Sequence, residues 1–187
     1  MYQRQGSPKT VRLLSRGQTI GIGILAAPGE PCFAYYRPHS ADSFTAAVGD
    51  LKNYIERDGP FDGVVAFSQG ASLAGALLLD RVKSCTLGLR CAIFLCGRDP
   101  FNELGGAGSI LSPTVHGGHG LIEMPTAHIW GIDDKTEPGQ ASALSELCRI
   151  ERRHIYIHTG GHEVPGPRDH DGLVESANTI RRMLAQL

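Results

Sequence analysis

At 187 residues the chain is long enough for one domain with a real core and too short for two of ordinary size. Apolar residues make up 41% and charged residues 20%, a globular balance, and a net charge of −1 argues against a nucleic-acid or anionic-membrane surface. Arg149, Arg152 and Arg153 accordingly read as solvated charges and not as a binding patch. The five cysteines (Cys32, Cys85, Cys91, Cys96 and Cys148) are odd in number and form no CxxC pair. Cys85, Cys91 and Cys96 sit in or beside apolar segments and read as buried free thiols, which suits a reducing compartment. MYQRQGSPKT has no apolar core of the kind a signal peptide carries, and no apolar run reaches the ~20 residues that span a bilayer. The expectation is a cytoplasmic chain with no nucleic-acid or membrane partner.

The whole chain, 1–187, reads as a single domain. Residues 1–18 are polar and aperiodic and are expected to be poorly ordered. Residues 20–27 (IGIGILAA) suggest a short strand. Residues 41–58 give the clearest helix: Phe44, Val48, Leu51 and Ile55 share one face, Ser40 or Asp42 can cap it, and Gly59-Pro60 stops it. FDGVVAF, 61–67, reads as a buried parallel strand, and 69–82 as an Ala/Leu-rich helix small enough to lie close to a sheet. Residues 89–96 and 126–130 are further strands, and the Gly-, Ser- and Pro-rich stretch 97–123 between them reads as an insertion. A helix over 139–150, a strand over 154–158 and a helix over 171–187 follow. The last helix carries Leu173, Ala177, Ile180, Leu184 and Leu187 as its apolar stripe. Strands alternating with helices predict an α/β fold, a doubly wound, mainly parallel sheet with helices on both faces. Function in such sheets sits at the carboxyl ends of strands, here in the loops after Phe67, Trp130 and His158.

Each of those loops carries a reactive side chain. Ala66-Phe67-Ser68-Gln69-Gly70 places a Ser between strand and helix with small residues two positions either side, the nucleophile-elbow pattern, with Ala66 where Gly is usual. The bend lifts Ser68 above the sheet and directs the Gln69 backbone N–H and the helix N-terminus at a reacting carbonyl. A Ser hydroxyl needs a base, and His162 stands in a Gly-rich loop just past the last strand. Gly131-Ile132-Asp133-Asp134 offers an acid for that histidine; Asp134 is favoured, with Asp133 the turn former. The order Ser, Asp, His is the α/β-hydrolase order. A metal is not expected: His116 and His119 lie in the insertion, and His154 and His158 on one strand face would be roughly 13 Å apart, too far for one ion. GIG at 21–23 lacks the third glycine of a dinucleotide site, and no phosphate-binding GxxxxGK[ST] occurs. No cofactor is expected.

Together these motifs resemble the FSH family of serine hydrolases, from about Pro28 to the C-terminus. Gly59 to Ala71 (GPFDGVVAFSQGA) is similar to the family's GPFDGV-x-GFSQGA, Gly131-x-x-Asp134 to its acid motif, and His158-x-Gly160-Gly161-His162-x-x-Pro165 to its HxGGHxxP motif. The resemblance implies an α/β-hydrolase fold, a Ser68–His162–Asp134 triad and esterase or thioesterase chemistry on a small-molecule or carrier-bound acyl chain, often in secondary-metabolite (polyketide) pathways.

The family opens with a strand ending in His-Gly, whose loop supplies a second oxyanion donor, and no such segment stands before Pro28. The fold is accordingly expected to be N-terminally truncated, with half the oxyanion hole missing. Truncation, an altered gene model and a homodimer closed along the bare sheet edge all fit that departure. So do two rival functions: a non-catalytic relative acting as a binding protein, and an acyltransferase using the same triad. The insertion, with Phe101, Leu104, Ile110, Leu111, Leu121 and Ile122, reads equally as a lid over an acyl chain and as a surface loop.

Overall fold

The computed structural model describes residues 34–80, 87–103 and 121–187. The expected strand at 20–27, residues 1–18 and the middle of the 97–123 stretch lie outside the described residues. The elements are helix α1 (Ala41–Asp58), strand β1 (Gly63–Phe67), helix α2 (Gln69–Leu79), strand β2 (Cys91–Leu95), a short helix α3 (Pro100–Glu103), strand β3 (Thr126–Gly131), helix α4 (Gln140–Glu146), strand β4 (Arg153–His158) and helix α5 (His170–Leu184). The four strands form one all-parallel sheet in the order β1-β2-β3-β4. Among the described residues β1 and β4 are its outer strands, and Val65 on β1 is 66% exposed.

Helix α1 has the predicted bounds, and of its two candidate caps Ser40 accepts from the Ser43 N–H. Its apolar face docks on α2: Phe44 packs with Tyr36 and Leu73, and Ile55 with Leu77 and Leu87. Helix α2 in turn lies on the sheet through Ala71, Ala74 and Leu78, which meet Ala66, Ala92 and Phe94. Small residues on both sides allow this close approach, and they bring the N-terminus of α2 to the carboxyl end of β1.

Three expectations are corrected. The predicted helix 139–150 stops at Glu146, because Ile122 pulls the chain out of it. The Ile122 N–H donates to Leu147 O and the Arg149 N–H donates to Ile122 O, an isolated bridge that competes with helical bonding. The described ends of the 97–123 stretch belong to the core: Ile122 is buried, and Phe101 and Leu121 pack against the same cluster. The last helix does not bury its leucine stripe. Gly172, Ser176, Thr179 and Met183 are buried, whereas Leu173 and Leu184 are each more than 40% exposed. Small side chains let α5 approach the sheet closely, and Ser176 satisfies its hydroxyl by donating to Gly172 O.

One buried titratable group has a consequence for stability. His128 on β3 is 1% exposed, with Nε2 3.0 Å from Thr126 Oγ1. Burial, with a smaller contribution from the Arg153 charge, lowers its pKa from 6.5 to about 3. The unfolded chain therefore takes up this proton first as pH falls. The neutral ring's contribution is intact above pH 6.5 and is lost progressively toward pH 3, at roughly 1 kcal/mol per pH unit. Urea midpoints recorded across this window are expected to fall less steeply in His128→Gln than in the wild type; equal slopes would refute the assignment.

Candidate active site

Ser68 is the single residue between β1 and α2 and takes φ 50, ψ −116, a conformation that side-chain-bearing residues rarely adopt. The bend is held by its N–H donating to Leu95 O at 3.0 Å and its carbonyl accepting from the Ala71 N–H at 3.0 Å. Gly70, two residues on, is not crowded by the described residues. A Cβ on Gly70 would meet Tyr35 Cε2 at 3.6 Å, an ordinary contact. The strain therefore sits at Ser68 itself. Gln69 contributes a side-chain clamp that the sequence did not disclose. Its Oε1 accepts from the Tyr35 N–H at 3.0 Å and its Nε2 donates to Tyr36 O at 3.2 Å, tying that segment to the first turn of α2.

The three loops converge. His162 Nε2 lies 2.8 Å from Ser68 Oγ, and His162 Nδ1 lies 2.7 Å from Asp134 Oδ2. Asp134 Oδ1 accepts from the backbone N–H groups of Thr136 and Glu137, both at 3.0 Å. A carboxylate only accepts, so the ring hydrogen sits on Nδ1 and the bare Nε2 faces the hydroxyl. The arrangement can take a proton from Ser68 and hold the imidazolium against a fixed carboxylate. Asp133, the alternative acid, points away: it is exposed, and Lys135 Nζ lies 3.4 Å from its Oδ2. Of the predicted site residues, Ser68, Asp134 and His162 come together directly. Gln69 opens α2, where first-turn N–H groups have no partner within the helix.

Backbone contacts hold the histidine and acid loops together. The Ile132 N–H donates to His158 O at 2.8 Å, and the Asp133 N–H to Gly160 O at 3.1 Å. A Cβ on Gly131 would collide with the carbonyl oxygens of Gly160 and Gly161, so only glycine permits this approach. Beneath the acid turn, the Arg98 guanidinium lies 2.6 Å from Glu103 and 3.2 Å from Glu137, joining α3 to the residue whose N–H holds Asp134. Burial raises the pKa of Glu137, against the lowering effect of Arg98.

Cys96 follows β2 at φ 45, is fully buried, and has its Sγ 3.1 Å from Glu163 O as donor. Burial, then the Asp134 charge, pushes its thiol up to about 12, so it stays protonated at neutral pH and is a poor nucleophile. Donor atoms of Cys96, Asp134 and His162 lie within 4.8 Å of one another. Each is already engaged by a protein partner, which marks the cluster as a hub of loops and not as a ready ligand set. Cys91 and Cys148 are likewise buried free thiols, and Cys85 lies outside the described residues. No helix among the described residues is long and apolar enough to cross a membrane.

Comparison with known proteins shows the family and the fold. Solved structures with the same fold include a carboxylesterase from Mesorhizobium loti (TM-score 0.54, 19% identity, 84% of this chain and 71% of that one) and one from Bacillus cereus (TM-score 0.52, 11% identity, 79% and 69%). Among curated proteins, the chain is 40% identical over 148 residues to Esterase FPY3 of Fusarium mangiferae, covering 74% of this chain and 67% of that protein. It is 30% identical over 140 residues to Family of serine hydrolases 3 of Saccharomyces cerevisiae, covering 72% of this chain and 51% of that protein. The match thus spans about half the length of the yeast relative. A family model described as serine hydrolase (FSH1) matches residues 25–172. The chain belongs to the FSH1 family of serine hydrolases and carries an α/β-hydrolase fold.

Proposed function

We propose that the protein cleaves carboxylic esters and thioesters through an acyl-enzyme on Ser68, with His162 as general base and acid and Asp134 as its orienting carboxylate. The observation that carries this reading is the unbroken row from Ser68 Oγ through His162 to Asp134, at 2.8 and 2.7 Å. His162 Nε2 takes the hydroxyl proton as Oγ attacks the carbonyl carbon. The Gln69 N–H, at the positive end of α2, faces the oxygen that becomes negative. His162 then gives the proton to the leaving alkoxide or thiolate, and repeats the cycle with water. The chemistry needs only these protein groups. A thioester is the more readily cleaved substrate because a thiolate leaves more easily than an alkoxide. A carrier-bound acyl chain, and a place in secondary metabolism, rest on the family resemblance alone; the 40% identical fungal relative, an esterase, supports ester cleavage.

A fluorophosphonate probe tests this reading directly. The wild-type protein is expected to be labelled on Ser68, and Ser68→Ala to remain unlabelled. A folded wild type that takes no label would favour a binding protein instead. Turnover that yields a new ester only when an alcohol is added would favour the transferase.

A further inference from the structure

His158 ends β4 and is 3% exposed, yet it takes no part in the chemistry above. Both its ring nitrogens are engaged within the loop that carries His162. The Gly160 N–H donates to Nδ1 at 3.1 Å, and Nε2 lies 3.0 Å from Glu163 O. These two contacts fix the tautomer. A backbone N–H can only donate, so Nδ1 must be the bare nitrogen; a carbonyl can only accept, so Nε2 must carry the hydrogen. The neutral Nε2–H ring is the one form that satisfies both.

The two bonds bracket His162, one two residues before it and one immediately after it. Cys96 Sγ donates to the same Glu163 carbonyl at 3.1 Å, so that oxygen is gripped from two sides. Gly160 leaves the space the ring needs. A Cβ there would lie 2.9 Å from His158 Nδ1 and 2.6 Å from Glu163 Oε1. A loop of two consecutive glycines has few intrinsic restraints, and His158 alone reaches both sides of the base, beside the single bonds from Asp133 N–H to Gly160 O and from Cys96 Sγ to Glu163 O.

We infer that His158 is a positioning residue: its neutral ring clamps the backbone at Gly160 and Glu163 and thereby sets His162 Nε2 onto Ser68 Oγ. This inference rests on the proposed role of His162 as base. A displacement of about 1 Å at a reacting group can cost ~10²-fold in rate with little change in binding. The expected signature is a loss in kcat with KM preserved.

The test uses the full chain, p-nitrophenyl acetate as probe substrate, and three variants that separate the two bonds. His158→Phe keeps a buried ring and removes both bonds. His158→Asn places an acceptor near Nδ1, and His158→Gln a donor near Nε2. His158→Phe is expected to lose about 30- to 100-fold in kcat, with KM within threefold of the wild type. Asn and Gln are each expected to recover at least fivefold of that loss. The low-field NMR signal of the proton between His162 Nδ1 and Asp134 is expected to broaden or vanish in His158→Phe at temperatures where its circular dichroism is native.

A folded His158→Phe with kcat within threefold of the wild type overturns the inference, as does a loss that neither Asn nor Gln relieves. If His158→Phe does not fold, Asn and Gln decide: each is expected about tenfold down in kcat at unchanged KM, and wild-type kcat in both overturns the inference. His162→Ala separates the two readings. Full activity in His162→Ala would overturn the proposed base itself, whereas an inactive His162→Ala beside a fully active His158→Phe would remove only the clamp.

Discussion

Ser68→Ala is expected to lower kcat/KM for a p-nitrophenyl ester by about 10⁵-fold or more, the scale seen when a nucleophile acting as one unit with its base is removed. The variant should fold, because among the described residues the hydrogen-bond partner of Ser68 Oγ is His162 Nε2, a contact of the site and not of the core. The backbone gives a second expected result that separates function from strain. At φ 50 and ψ −116, Ser68 sits where a Cβ costs roughly 1–3 kcal/mol, and glycine escapes most of that cost. Ser68→Gly should therefore melt higher than Ser68→Ala, even after glycine's entropic penalty of roughly 0.5–1 kcal/mol, while both are equally inactive. Calorimetry on the two variants decides it. An Ala variant as active as the wild type would sink the nucleophile, and a Gly variant melting below Ala would sink the strain argument.

Much of this architecture is written locally in the sequence. Helix α1 was readable at both ends because the spacing of Phe44, Val48, Leu51 and Ile55, the Ser40 cap and the Gly59-Pro60 stop are all short-range signals. The convergence of Ser68, Asp134 and His162 was readable because each follows a strand of a parallel sheet, and such strands deliver their loops to one edge. What escaped depends on contacts between distant segments. The last helix shows leucines on one stripe, yet it buries Gly172, Ser176 and Thr179, whose small side chains allow a close approach to the sheet, together with Met183, against whose cluster Ile180 packs. The end of α4 is set by Ile122, far upstream of Glu146 in the chain, through bonds to Leu147 and Arg149. His158 and Gly131 stood in plain view inside the quoted motifs. Nothing in a string of letters says that one ring holds the turn at Gly160 and Glu163, or that a missing Cβ at Gly131 lets two loops touch.

Asp134→Asn is expected to lower kcat by about 10⁴-fold with the fold intact, and the reason lies in how the two carboxylate oxygens are used. Oδ1 accepts two backbone N–H bonds, from Thr136 and Glu137, whereas Oδ2 accepts one, from His162. An asparagine must put its NH₂ on one side or the other. Facing Thr136 and Glu137, it would set donors against donors and lose both bonds, so the amide nitrogen turns to His162 instead. The ring can then pair with it only by presenting a bare Nδ1, which moves the hydrogen to Nε2 and turns a donor toward Ser68. The base is lost although no atom has moved far. Asp133→Asn is the matched control: its carboxylate is exposed and, among the described residues, pairs with Lys135 at 3.4 Å, a surface pair of little energetic worth, so its activity and melting temperature should stay near those of the wild type. Steady-state kinetics and melting curves on the two variants test the assignment together. If Asp133→Asn lost the activity and Asp134→Asn kept it, the acid would be the other aspartate, and the tautomer argument at His162 would fall with it.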